Sequence, residues 1–132
     1  MDLLNKREMQ ITSLALDGLS ERHKAITSNI ANSNTPGYMK VDVAFEGQLN
    51  KILESEEAKE QNKEIKNPIG YSSFKPSLII SNDPAQSANG NNVNVEMEMA
   101  ELAKNGMKYN ALAALQAKAF KGLSDVIMGG GR

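Results

Sequence analysis

The sequence has no cysteine, no tryptophan and one histidine in 132 residues. Without cysteine there is no disulfide, no thiolate nucleophile, no Cys-ligated zinc and no iron–sulfur cluster. His23 alone excludes a His-rich metal site, and any His-centred triad would rest on that one residue. Aromatic residues make up only 5% of the chain, so bulky core material is scarce and the expected shape is elongated or partner-dependent. No run approaches the roughly 18 apolar residues of a membrane span, and the opening MDLLNKREMQ lacks the unbroken apolar stretch of a cleaved signal peptide. Neither sign of charge dominates: 15 Lys and Arg face 16 Asp and Glu. That balance excludes the basic footprint that nucleic acid binding needs.

What is present is helical at both ends. Ile11, Ala15, Leu19, Arg22, Ile26 and Ile30 recur at steps of three and four, which predicts a helix over residues 3–32. At about 1.5 Å per residue this is a rod near 45 Å long. Its stripe is thin, with Gly18 and Arg22 interrupting it, and such a face suits another helix better than a deep core. The helix is expected to stop where Asn residues permit a left-handed C-cap, and Pro36-Gly37 fits the centre of a type II turn. Met39, Val41, Val43 and Phe45 then alternate with Lys40, Asp42 and Ala44, the pattern of a half-buried strand.

Phe45, Leu49, Ile52 and Leu53 can share one side of a short helix, whereas residues 54–67, ESEEAKEQNKEIKN, are expected to be a solvated or mobile segment. Residues 68–92 fit short strands or an irregular loop. In the last third, Met99, Leu102, Gly106, Tyr109, Ala113, Gln116, Phe120, Leu123 and Ile127 trace a heptad seam over four repeats. Asn94 is the expected N-cap, Glu96 and Glu98 favour the first turn, and Gly129, Gly130 and Gly131 are expected to end the helix. The expected fold is mainly α. Long N- and C-terminal amphipathic helices pair as an antiparallel coiled coil, joined by a short β or irregular middle segment. The divisions fall at residues 1–35, 36–93 and 94–132.

The run Ser28, Asn29, Ile30, Ala31, Asn32, then Asn34, Thr35, Pro36, Gly37 and Tyr38, continuing to Asp42 and Phe45, resembles the N-terminal signature of the bacterial flagellar axial proteins of rod, hook and hook-associated type. GNNVNVEMEMAELAKNGMKYNALAAL from Gly90 and the later LSDVIMGG are similar to a C-terminal signature of a short, proximal-rod branch. The likeness covers roughly residues 3–53 and 89–130. A neighbouring rod protein shares both signatures but usually has extra residues before the tyrosine, so the compact Thr35–Tyr38 turn favours the shorter branch. Met39 departs from the usual basic or polar residue.

This resemblance implies a structural subunit of the flagellar basal-body rod, crossing the periplasm. It implies export through the flagellar type III apparatus without a cleaved signal, and helical assembly with like subunits and other rod and basal-body proteins. It also implies a subunit interface formed by Ser28 to Ala31, Asn32, Asn34 to Tyr38, Met99, Leu102, Tyr109, Ala113, Phe120, Leu123 and Ile127. Residues 28–38 read equally as a helix cap and turn. No cofactor, metal, nucleic acid or membrane-spanning segment is expected, and no enzymatic activity: nucleophile, base and orienting group do not occur together at motif spacing. The acidic Glu54, Glu56, Glu57 and Glu60 lack the spacing of a calcium loop. Gly18 and Gly106 read either as points of close approach or as tolerated helix glycines. A small helical export chaperone or adaptor is the competing class, and it would stay in the cytoplasm rather than fractionate with basal bodies.

Overall fold

A computed structural model describes the backbone of residues 3–129 and the side chains of residues 6–129. Helix α1 spans Leu3–Ala31, strand β1 Val41–Ala44, helix α2 Glu46–Glu60, a single 3-10 turn Tyr71–Ser73, strand β2 Ser77–Ile80 and helix α3 Val95–Gly129. The two terminal helices and the short strand between them are as the periodicity predicts. Gly130 and Gly131, assigned to the end of α3 from sequence, lie outside the described residues.

Helices α1 and α3 run antiparallel, and their polar cross-links show it. Asn29 meets Glu98, the Leu19 carbonyl meets Asn105, and the Met9 carbonyl meets Gln116, so one helix descends as the other climbs. Part of the heptad expected on α3 faces α1 and part does not. Glu98 and Asn105 are buried against α1, and Leu102, Leu112, Gln116 and Leu123 are partly covered. Met99, Tyr109, Phe120 and Ile127 point outward. Glu98 and Asn105 take inward positions because each bonds α1, a reason invisible to a count of apolar residues, while Gln116 keeps its place in the seam and bonds the Met9 carbonyl.

Strands β1 and β2 pair antiparallel, with Val41 opposite Ile80 and Val43 opposite Leu78. The core lies between α1 and this ribbon. Leu19, Ala25, Val43 and Phe45 are buried together, flanked by Leu49, Phe74 and Leu112. Phe74 meets Phe45 edge to face, with ring centroids 6.3 Å apart.

The charged stretch expected to be solvated is helix as far as Glu60. Ile52, Ser55 and Ala58, three residues apart, make a narrow buried face, and Glu and Lys are good helix formers on the outer one. The helix then closes in a Schellman motif: Asn62 adopts φ 51, its N–H donates to Lys59, and the Lys63 N–H donates to Ala58. Left-handed asparagine therefore appears here and not at the end of α1. There the chain tightens instead, with Asn32 N–H donating to Ser28 and Asn29 carbonyls, and Ser33 N–H to Ile30.

Candidate assembly interface

The segment after α1 is built from short polar side chains that stand in for missing backbone partners. Thr35 to Tyr38 form the type II turn, with Gly37 at φ 70 and the Tyr38 N–H donating to the Thr35 carbonyl. Asn91 Nδ2 donates to the carbonyls of both Asn32 and Thr35, each at 2.8 Å, as a second donor to oxygens that already accept the Thr35 and Tyr38 N–H groups, and so ties the two turns after α1 together. The Gly37 N–H donates to the Asn89 carbonyl. Gly90, at φ 83, lies so near that a Cβ there would touch Gly37 Cα at 3.7 Å. The two signature stretches, residues 28–38 and 89–94, thus fasten to each other within one chain.

Asn29 is the centre of this knot and is 1% exposed. Its Nδ2 donates to the Val41 carbonyl at 2.8 Å and to Glu98 Oε2 at 3.0 Å. Its Oδ1 accepts from the Val41 N–H at 2.9 Å and the Tyr38 hydroxyl at 3.0 Å. All four bonds open to an amide side chain are made, which is what burial of such a group demands. Asn92 performs a similar task one rung along. It accepts from the Lys40 N–H at 2.6 Å and donates to the Ser81 and Asp83 carbonyls.

Arg22 fixes the other end of β1. Its guanidinium donates to both Glu46 oxygens and to the Val43 carbonyl, and lies 4.6 Å from the centre of the Phe45 ring. Hydrogen bonding from Arg22 holds the Glu46 carboxyl down at about 2, and the same bond raises Arg22. On the far side Lys40 bonds Asp83 at 2.9 Å, which raises the lysine and lowers the aspartate.

These contacts seal one edge of the ribbon. The Ser81 N–H donates to the Lys40 carbonyl, so by ladder alternation Val41 and Val43 turn their backbone groups away from β2. All four of those groups are taken by side chains: Asn29 holds both of Val41's, Asp42 accepts the Val43 N–H, and Arg22 donates to the Val43 carbonyl.

The residues expected at an interface therefore divide. Asn29 is buried, and Ile30, Asn32 and Tyr38 are partly buried inside the knot. Ser28, Ala31, Asn34, Thr35, Pro36 and Gly37 form its exposed rim. On α3, Leu102, Ala113 and Leu123 are partly covered, while Met99, Tyr109, Phe120 and Ile127 form an uncovered apolar outer stripe. Toward the open ends of the helices lies a groove of about 680 Å³ lined by Met9, Thr12, Leu115, Gln116, Leu123 and Val126. The sequence reading missed the roles of Arg22, Glu46, Asn91, Asn92, Glu98 and Asn105. An arginine inside an apolar stripe and two asparagines just before an N-cap were the available signals.

Among the described residues no group of three or more His, Cys, Asp or Glu converges, and no helix is long and apolar enough to cross a membrane.

A profile of the flagella basal body rod protein family matches residues 9–38, from within α1 to the end of the turn. The flagellar basal body rod protein FlgB of Borreliella burgdorferi is 30% identical over 131 residues, covering 92% of this chain and 96% of the relative. FlgB of Bacillus subtilis is 36% identical over 121 residues, covering 88% and 89%. FlgB of Salmonella typhimurium is 28% identical over 125 residues, again covering 88% and 89%. With likeness running over most of both chains, at 30% and 36% identity to two of these relatives, the chain belongs to the FlgB family of flagellar basal body rod proteins.

Proposed function

We propose that this chain is a structural subunit of the flagellar basal-body rod, acting by position and packing and not by catalysis. The observation that carries this reading is the pairing of family membership with an uncovered apolar stripe on α3. Phe120 is 63% exposed and Ile127 69%. In a water-soluble monomer such a stripe is a liability, whereas in a tube wall it is a contact surface. The rim of the knot, Ser28, Ala31 and Asn34 to Gly37, together with Met99, Leu102, Tyr109, Ala113, Phe120, Leu123 and Ile127, is the set assigned to subunit contacts. Residues 1–35 and 94–132 serve as the axial parts and residues 36–93 as the outer part.

The partners in this reading are like subunits and other basal-body proteins. The chain is delivered by the flagellar type III export apparatus without a cleaved signal and works in the rod where it crosses the periplasm. The chaperone and neighbouring-rod alternatives are set aside, because each relative described above is a FlgB protein.

Fractionation of cells carrying a tagged chain, with an immunoblot on detergent-purified basal bodies, tests the proposal. Co-purification with the rod, lost together with motility when the last 30 residues are deleted, is the expected result. Assembly that survives this deletion, or a chain that stays in the cytosol, would overturn it.

A further inference from the structure

The outer edge of β2 is the counterpart of the sealed β1 edge, and it is open. Because Ser77, Ile79 and Ser81 face β1 across the ladder, Leu78 and Ile80 direct their N–H and C=O groups outward. No described residue pairs with them. The register puts the Leu78 and Ile80 side chains on the same face as Val43 and Val41, yet Leu78 is 72% exposed and Ile80 65%, while Val43 is 1% exposed. Residues 76–82, Pro-Ser-Leu-Ile-Ile-Ser-Asn, carry no charge, and neither a lysine nor a bulge lies within the four-residue strand to repel a partner.

We infer that this edge binds a second copy of the chain, β2 against β2, antiparallel about a two-fold axis at Ile79. The edge is self-complementary in that arrangement. Leu78 of each copy faces Ile80 of the other, so the four outward backbone groups on each side make four new hydrogen bonds, and the four exposed side chains meet in one row. Among the described residues no other extended stretch offers a regular edge: Asn67 at φ 56 and Pro68 interrupt residues 63–70, and the carbonyls of Ser81 and Asp83 are held by Asn92. The geometry has room for two bodies. Helix α1 packs under β1, and the two β1 strands of the four-stranded sheet stand three strand spacings apart, roughly 14 Å, more than the 8–10 Å between packed helices.

A three-residue edge is small beside a standard interface of about 1,600 Å². The pairing is accordingly weak and concentration-dependent. A two-fold pair also cannot be repeated along a wall whose subunits all point one way, so it belongs to the unassembled chain, and its failure would leave the rod assignment untouched.

Sedimentation of the purified full-length chain over a concentration series tests this, with Ile80→Pro as the edge variant. Proline removes an N–H that points outward and spares the ladder to β1. The expected result is a monomer–dimer equilibrium whose dissociation constant rises at least about tenfold in the variant, which corresponds to one 1.4 kcal/mol step. Since the chain has no cysteine, Ile79→Cys gives an independent readout: the two sulfurs face each other at a non-hydrogen-bonded pair and should form a disulfide dimer on mild oxidation, while Ser77→Cys should not. A chain monomeric at every concentration, a dimer indifferent to Ile80→Pro, or equal cross-linking of the two cysteine variants would each overturn the inference.

Discussion

Phe45 lies against the bare backbone of Gly18: a Cβ built there would come within 2.5 Å of the ring's Cδ2 and Cγ atoms and 2.8 Å of Cδ1. The glycine is a point of close approach, and what approaches is an aromatic ring and not a helix. Gly18→Ala gains about 1 kcal/mol of helix propensity but must displace the ring that Arg22 covers and Phe74 abuts. Overpacking of this kind costs about 1–3 kcal/mol, so a net loss of up to about 2 kcal/mol is expected in urea denaturation. A raised midpoint would contradict the packing described.

Gly106 is the contrasting case. A Cβ there meets nothing within 4 Å, so Gly106→Ala should stabilise the isolated chain by about 0.5–1 kcal/mol. If the same substitution reduces motility, the gap at Gly106 is filled by a neighbouring subunit.

The Arg22–Glu46 pair makes stability depend on acid pH. Glu46 titrates at about 2 in the folded chain, against about 4.3 for a free glutamate. The folded-state value is depressed, so the contribution is complete above the unfolded value and is lost as pH falls from there toward 2. With the Glu46 side chain 55% exposed, solvent screening holds the effect to about 1 kcal/mol. Stability curves of the wild type and Glu46→Gln should therefore differ at pH 6 and converge near pH 2.

Replacing Asn29 should be among the most damaging single changes. Asn29→Ala strands both backbone groups of Val41 and removes the buried partner of Glu98, at a cost of about 2–4 kcal/mol. Asn29→Asp keeps the shape but sets a second carboxylate beside Glu98, so its defect should be larger at neutral than at acid pH. Equal defects at both would show that Asn29 and Glu98 do not meet.

Charge on the outer stripe separates fold from assembly. Ile127→Asp touches a side chain 69% exposed, so the melting midpoint of the isolated chain should barely move. Motility and recovery with basal bodies should fall sharply. A motile Ile127→Asp strain would remove that position from the interface.

Both long helices were legible in the sequence because three-four spacing of apolar residues survives Gly18 and Arg22, and the turn was legible because Pro-Gly leaves the backbone few choices. The length of α2 was not, since Ser55 and Ala58 are too small to register as an apolar face among so many charges. The seam of α3 is only half legible: Leu102, Ala113, Gln116 and Leu123 are covered as their spacing predicts, but Met99 and Gly106 give way to their neighbours Glu98 and Asn105, whose value lies in hydrogen bonds to Asn29 and to the Leu19 carbonyl. Arg22 looked like a break in a stripe and proved to be the clamp on Phe45 and Glu46.

The knot around Asn29 also sets a timetable. Asn29 and Glu98 are separated by 69 positions, and synthesis adds about 5–20 residues per second. A nascent chain therefore carries a finished first helix for roughly 3–14 seconds before the residue that latches it exists. During that interval Asn29 can bond the Val41 backbone and Tyr38 but not Glu98, and α1 has β1 and α2 beside it but not α3. Closure is thus reserved for the moment when the last third of the protein emerges.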